Sequence, residues 1–189
     1  MHYMLPPRVL PFRWIVPVGQ LFLCMLLVGT AMLPLGIVSW AYREHIFEVV
    51  TGLNLPGGLV QLPEVIFTGT LQIWKPEGID FRLWRGITWP LFCTVFWCLA
   101  GRAIEALVAL KYHQVTPKIG WVETIVGFLV MAAGATIMYG MLFGLSSSER
   151  NWKLTRIAAA GGLWALLGSL SIVARFRQSK LRKRLSAAA

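Results

Sequence analysis

Three ionisable residues within otherwise apolar segments, Arg102, Glu105 and Glu123, are the strongest candidates for chemistry in this sequence. Arg102 and Glu105 are three positions apart, so they share one face of a helix. Glu123 follows them across a short polar connection. Ionisable side chains inside a membrane are costly unless they pair, and they often mark transport pathways. Two interpretations remain open: an Arg102–Glu105 or Arg102–Glu123 pair that ties helices together, or a site for an ion, a proton or a lipid headgroup.

The sequence lacks the spacings that support catalysis, metal binding or redox chemistry. It contains no C-x-x-C, no Gly-Lys dipeptide of a P-loop, no G-x-S-x-G and no H-E-x-x-H. None of its 3 histidines falls within an apolar core, which argues against a haem held by two histidines inside a membrane. We therefore expect no catalytic residue, no metal site and no cofactor. The histidines and cysteines are His2, His45, His113, Cys24, Cys93 and Cys98.

The composition requires that lipid forms part of the solvent of this protein. The 189 residues are 57% hydrophobic and only 14% charged, whereas soluble domains carry about 25% charged residues. A helix needs about 20 mostly apolar residues to cross the hydrocarbon core of a bilayer. The apolar segments therefore predict an all-α polytopic membrane protein with four transmembrane helices. These helices are expected over residues 14–42, 87–110, 119–145 and 154–174.

The first apolar segment admits a second interpretation. Basic residues precede it, and Ser39-Trp40-Ala41 resembles the small-residue cleavage site of a secretory signal peptide. The apolar part of a signal peptide is only about 7–15 residues long, however, and this segment is roughly twice that length. We therefore favour an uncleaved transmembrane helix that is kinked at Pro34.

The distribution of basic residues predicts the orientation of the helices. The sequence has 18 Lys and Arg against 8 Asp and Glu, which gives a net charge of +10. Short cytoplasmic segments of membrane proteins carry an excess of Lys and Arg, and this rule places both termini in the cytoplasm of a bacterial-type inner membrane. The cytoplasmic segments are then 1–13, 111–118 and the basic tail 175–189, and the extracytoplasmic loops are 43–85 and 146–153.

The basic tail is the densest cluster of charge in the chain. It directly follows an apolar segment, so anionic lipid headgroups are a better partner for it than nucleic acid, at about 1 kcal/mol per basic residue. A cytoplasmic anchor without any further role is the alternative. The basic residues concerned are Arg175, Arg177, Lys180, Arg182, Lys183 and Arg184.

The long loop 43–85 is predicted to have structure of its own. Residues 43–53 show helical spacing of apolar side chains, which predicts a short amphipathic helix lying at the membrane interface. Residues 65–84 alternate between apolar and polar around the turn sequence 75–78, which predicts a β-hairpin. The loop then either docks a partner or simply covers the bundle. The docking residues would be Trp74, Phe81 and Trp84.

Small residues at every fourth position mark the third and fourth predicted helices. Such stripes let the backbones of membrane helices approach closely. These two helices are joined by a short loop, so we expect them to form a tight antiparallel pair. The alternative is that one stripe mediates oligomerisation. The stripes are Ala132, Thr136, Gly140 and Gly144 in the third helix, and Gly161, Ala165 and Ser169 in the fourth.

Taken together, the features of the sequence favour a non-catalytic accessory or scaffold subunit that presents its outer loop to a protein partner or to a second copy of the chain. The first alternative is a small transporter or channel that uses Arg102, Glu105 and Glu123. The second is a membrane-embedded lipid-modifying enzyme. Few polar residues line the predicted spans, so a continuous path for a solute is poorly supported, and the accessory role is favoured.

Overall fold

The computed structural model describes residues 11–33, 39–61, 81–112, 118–143 and 152–187. Within these ranges all regular structure is helical. Four helices are long and apolar enough to cross a membrane, which confirms the predicted number. The elements are α1 (Phe12–Ala31), α2 (Trp40–Leu53), a 3-10 segment (Leu55–Gln61), α3 (Phe81–Lys111), α4 (Trp121–Phe143) and α5 (Trp152–Ala187).

The four spanning helices α1, α3, α4 and α5 alternate in direction. At one end of the bundle, Arg13 near the start of α1 pairs with Glu105 near the end of α3. At the same end, Arg102 of α3 pairs with Glu123 near the start of α4, and Arg175 of α5 donates to a carbonyl just before α4. We call this the tail end. The opposite end, where α2, α3 and α5 begin, is called the α2 end.

The first apolar segment forms two helices, whereas the sequence predicted one kinked helix over residues 14–42. α1 ends at Ala31, and α2 begins as a separate helix. Ser39 caps α2, because its hydroxyl accepts a hydrogen bond from the backbone N of Tyr42 at 3.3 Å. Pro34, which disfavours a continuous helix, lies between the two helices and outside the described residues. The prediction of one continuous helix is therefore wrong beyond Ala31, where α1 ends.

α2 descends into the bundle, whereas the sequence predicted a helix lying flat at the interface. Near its start, Arg43 donates a hydrogen bond to the carbonyl of Leu33, just beyond α1. Farther along, Val50 is fully buried against the middle of α1. Just past its last residue, Asn54 reaches Gln20 of α1. α2 therefore runs antiparallel to α1 and back toward the middle of the bundle.

The depth of this descent follows from helix geometry. Gln20 precedes Ala31 by eleven residues, and at about 1.5 Å per residue this is about 16 Å along α1. The hydrocarbon core of a bilayer is about 30 Å thick, so about 15 Å from its edge is its midplane. α2 therefore ends beside the middle of α1; where α1 spans a bilayer, this makes α2 a re-entrant helix that ends near the midplane. The apolar face that was expected to meet lipid instead packs on protein.

The second strand of the predicted hairpin is helical where the structure describes it. Residues 81–84 form the first turn of α3, whereas the turn sequence 75–78 and the first strand lie outside the described residues. A short alternation of apolar and polar residues does not distinguish a strand from one face of a helix. The prediction of a strand is therefore wrong for residues 81–84.

α4 and α5 form a close antiparallel pair through glycines. A β-carbon added to Gly134 would lie 2.5 Å from the carbonyl oxygen of Gly161, and one added to Gly127 would lie 2.8 Å from that of Gly168. The two contacts are seven residues apart on each helix, which is the spacing of a left-handed helix pair. Gly140, on the stripe expected in α4, has nothing within 4 Å of an added β-carbon.

The predicted stripes therefore have different positions in the pair. In α5, Gly161 and Ala165 lie at the contact with α4. In α4, Thr136 is exposed, and its hydroxyl donates to the carbonyl of Ala132 within the same helix. Ser169 likewise bonds within its own helix, and Gly144 lies outside the described residues.

Candidate functional site

At the tail end, Arg102 connects α3 to the beginning of α4. Its guanidinium lies 2.5 Å from one carboxylate oxygen of Glu123, and it also donates to the carbonyl of Lys118 at 3.3 Å. The other oxygen of Glu123 accepts a hydrogen bond from the backbone N of Gly120 at 2.7 Å. Of the two pairings considered from the sequence, the structure thus forms Arg102–Glu123. The pair thus joins α3 to the residues that precede α4 and to its first turn.

Glu105 pairs with a residue that the sequence did not single out. Its side chain lies 3.5 Å from Nε of Arg13 in α1, and the residue is only 8% exposed. The two helices touch next to this pair, because a β-carbon on Gly101 would lie 2.3 Å from the carbonyl oxygen of Phe12. Sequence spacing along one helix cannot reveal a partner on another helix. Glu105 therefore ties α1 to α3, and it is not part of one cluster with Arg102.

A buried polar cluster closes the end of α2 near the midplane. Gln20 Nε2 donates to Asn54 Oδ1 at 2.6 Å, and Asn54 Nδ2 donates to the carbonyl of Val50 at 2.7 Å. Asn54 is fully buried. From α5, Trp164 Nε1 donates to the carbonyl of Gly52 at 3.2 Å. These bonds satisfy backbone groups that a helix leaves unpaired at its end, as the membrane interior requires.

The 3-10 segment that follows α2 is fitted against α3. A β-carbon on Gly57 would lie 2.4 Å from the backbone oxygen of Trp89, and one on Gly58 would lie 2.9 Å from its ring. Only glycine permits so close an approach. Irregular backbone at membrane depth occurs where protein buries it or where it lines a cavity. Gly57 and Gly58 thus let the 3-10 segment pack directly on Trp89.

A cavity of about 360 Å³ opens between α2, α3 and α5. We call it the α2 cavity. Its charged residues belong to α2 and to the first two turns of α3 and α5, and its apolar residues lie among and beyond them on the same helices and on the 3-10 segment. It is lined by Glu44, Phe47, Glu48, Thr51, Gly52, Leu55, Arg82, Arg85, Trp89, Arg156, Ile157 and Ala160.

Both carboxylates of the α2 cavity pair with arginine. Arg156 of α5 lies 2.7 Å from Glu48 and 3.2 Å from Nδ1 of the neighbouring His45. Arg82 of α3 lies 3.5 Å from Glu44. These pairs join α2 to α3 and α5 at the α2 end, and they are only partly exposed.

A third arginine lines the cavity beside the two that pair with carboxylates. The guanidinium of Arg85 lies 5.5 Å from the ring centroid of Trp89, and the residue lines the cavity beside Arg82 and Arg156. Within the described part of the chain, three arginines and two glutamates thus line the cavity. From the sequence, these arginines indicate only a side of the membrane, because their convergence depends on how α2 enters the bundle.

The basic tail continues α5 as a helix, and part of it faces the end of α3. An open groove of about 510 Å³ lies between the two helices at the tail end. Arg175 lies elsewhere, 3.6 Å from the ring centroid of Trp121, and Arg182 and Lys183 are exposed outside the groove. The residues that line this tail groove are Leu107, Val108, Leu110, Lys111, Arg177, Lys180, Leu181 and Arg184.

The three residues expected to dock a partner lie only partly within the described residues, so their role stays a prediction. Trp74 lies outside the described residues, Phe81 is the first residue of α3, and Trp84 is half-buried one turn later. At the same end, Trp40 and Tyr42 of α2 are 59% and 52% exposed. Trp40 also lies 5.4 Å from the guanidinium of Arg82.

Comparison with known proteins adds no assignment: no family model, no curated protein and no solved structure matches this chain. Among the described residues, no group of three or more His, Cys, Asp or Glu side chains is placed to hold a metal ion. Among the described residues, both the α2 cavity and the tail groove combine charged side chains with accessible volume.

Proposed function

We propose that the protein is a non-catalytic accessory or scaffold subunit of a membrane, and that it contacts a partner protein through its α2 end. The observation that carries this proposal is the exposed aromatic pair in the first turn of α2, Trp40 and Tyr42, beside a charged cavity. At the tail end, Arg102 and Glu105 are engaged with Glu123 and Arg13.

The contacting surface on this proposal consists of Trp40 and Tyr42 together with the predicted docking residues Trp74, Phe81 and Trp84. Large aromatic side chains with one polar edge are enriched at protein interfaces. α2 is held between α1, α3 and α5 by the Gln20–Asn54 bond and by arginine pairs. Such a support makes the first turn of α2 a rigid platform, which lowers the entropic cost of binding.

The same proposal places the tail end in the cytoplasm of a bacterial-type inner membrane, with both termini on that side. The excess of Lys and Arg at the tail end supports this orientation. The tail groove then lies where anionic headgroups of the cytoplasmic leaflet are concentrated, so its basic residues anchor α5 to them.

A purified complex tests the proposal. After extraction in a mild detergent, the protein is expected to migrate with a partner at fixed stoichiometry in size exclusion with mass detection. The double variant W40A/Y42A should lose the partner and remain inserted, whereas F128A should keep it, because Phe128 is exposed on α4 away from the α2 end. A monodisperse free monomer from the wild-type chain would contradict the accessory role.

The transport alternative predicts a different result. If Arg102 and Glu123 formed a proton path, proteoliposomes with an internal pH-sensitive dye would show a flux that R102Q abolishes. We expect no such flux, because each side chain is already bonded at the α3–α4 connection. A flux lost in R102Q would replace the proposal with the transporter interpretation.

A further inference from the structure

We propose that the tail groove binds one anionic phospholipid at a fixed position, with the phosphate between basic side chains of α3 and α5 and the start of an acyl chain along the apolar wall of α3. The site deepens the lipid anchoring proposed above for the tail, and it rests on that proposal. A diffuse attraction needs only the charge of the tail, whereas this site is built by two helices together.

The charged side chains in the wall of the groove are all basic. Three of them belong to α5 and are spaced by three and four residues, so they share one face of that helix. The fourth lies at the end of α3. Basic pockets between transmembrane helices on the cytoplasmic side bind the headgroups of anionic lipids. The four residues are Lys111, Arg177, Lys180 and Arg184.

The acidic residues described at the tail end lie in ion pairs of their own. Glu105 pairs with Arg13, and Glu123 pairs with Arg102. The stretches of sequence that adjoin the described residues at this end, 1–10, 113–117 and 188–189, contain no Asp or Glu. The groove therefore offers cations to an incoming anion, and no described carboxylate lines it.

The basic side chains of the two helices lie at nearly the same level. α3 and α5 run in the same direction, and Ala106 and Ala174 belong to one buried cluster. Lys111 follows Ala106 by five residues and Lys180 follows Ala174 by six, so they lie about 7.5 Å and about 9 Å beyond this cluster. One phosphate between them can therefore accept charge-assisted hydrogen bonds from both helices.

The order of groups along the groove matches that of a phospholipid. Leu107, Val108 and Leu110 precede Lys111 on α3, so they lie between this lysine and the interior of the bundle. The groove therefore changes from apolar to basic toward its outer end, as a lipid does from acyl chain to phosphate. Its volume of about 510 Å³ falls within the range of about 300–1,000 Å³ that is typical of ligand sites.

Native mass spectrometry of the full chain in detergent micelles tests the site, with dioleoyl phosphatidylglycerol or dioleoyl phosphatidylcholine as the added lipid. The first phosphatidylglycerol is expected to bind with a Kd at least about tenfold lower than phosphatidylcholine, because only the former has a net negative charge. Equal affinity for the two lipids would overturn the proposal. The measurement needs no partner protein, so such a result would leave the accessory role standing.

Charge variants separate a built site from a diffuse attraction. K111Q and K180Q each remove one cation from the groove, on different helices, and each should raise the Kd for phosphatidylglycerol about fivefold. K118Q and K183Q remove the same charge from exposed residues of the same end that lie outside the groove, and both should bind like the wild type. An equal rise in all four variants would overturn the fixed site.

The apolar part of the site is tested without any change of charge. L110W fills the inner groove and should weaken the binding of phosphatidylglycerol, whereas L166W, the same exchange at an exposed residue of α5 outside the groove, should not. Equal binding in these two variants would contradict a chain in the groove. Inorganic phosphate at millimolar concentration should not compete with the lipid, and competition would replace the lipid site with a small-anion site.

Discussion

Replacing Gly134 by alanine should weaken the α4–α5 pair, whereas the same change at Gly140 should not. An added β-carbon at Gly134 would lie 2.5 Å from Gly161 O and 2.7 Å from Ala165 N, while ordinary contacts begin at 3.4 Å. Both neighbours are backbone atoms, so the helices must separate by roughly 1 Å to accept the methyl group. Overpacking of this kind costs about 1–3 kcal/mol.

The comparison between the two variants removes the effect of helix propensity. Alanine favours a helix over glycine by about 1 kcal/mol at either position, so this gain cancels in the difference. At Gly140 nothing lies within 4 Å of the added carbon. We therefore expect G134A to be less stable than G140A by about 1–3 kcal/mol, which is the overpacking term alone.

The free energy of unfolding is measured by titration with SDS in mixed micelles and followed by circular dichroism, with the wild-type chain as reference. G140A should be as stable as the wild type or more stable. Equal stability of the two variants, or a greater loss in G140A, would refute the assignment of the contact to Gly127, Gly134, Gly161 and Gly168.

Three further predictions concern the polar contacts. N54L should destabilise the chain by about 1–3 kcal/mol, because the buried amide of Gln20 then loses its oxygen acceptor and keeps only Cys24 Sγ at 3.5 Å; a melting temperature as high as that of the wild type would refute this. In a double-mutant cycle of R102Q and E123Q, unfolding free energies should show a coupling of about 0.5–3 kcal/mol, and additive effects would contradict the pair. K180E should reduce the number of phosphatidylglycerol molecules retained in native mass spectra, whereas K183E, with the same charge change outside the tail groove, should not; equal losses would contradict the groove.

The spanning helices could be predicted from the sequence because they depend on local composition. Apolar runs of sufficient length require helices in lipid, and each of the four long helices overlaps one of the expected spans. The placement of α2 could not be predicted in this way. Its apolar residues Ile46 and Val50 have the spacing of an interfacial helix, and only the surfaces of α1, α3 and α5 determine that they are buried in the bundle.

The ion pairs, too, could be predicted from the sequence only in part. Arg102 and Glu123 could be expected at similar depth because a short connection joins their helices. The partner of Glu105 could not, because Arg13 is distant in sequence and meets it only where α1 crosses α3 at Gly101. The arginines of the α2 cavity were likewise scattered over α3 and α5, and they converge only because α2 enters between those helices.

The stripe of small residues predicted in α4 differs from the observed contact for another reason. A spacing of four residues was expected, as in the common right-handed crossing, whereas the observed contacts repeat every seven residues. Both patterns occur in a helix that is rich in small residues. The sequence therefore predicted the pairing of α4 and α5 without predicting which face of α4 takes part.

The depth of α2 in a bilayer is the most direct measure of whether this helix is re-entrant. Nitroxide labels at Tyr42 and Val49, in a chain whose Cys24, Cys93 and Cys98 are replaced by alanine, lie on one exposed face two turns apart. Power saturation with oxygen and with a water-soluble nickel complex gives the depth of each label. A re-entrant α2 predicts that the label at Val49 lies about 10 Å deeper than the one at Tyr42. Equal depths would show a helix lying flat at the interface and would contradict both the re-entrant helix and the α2 cavity.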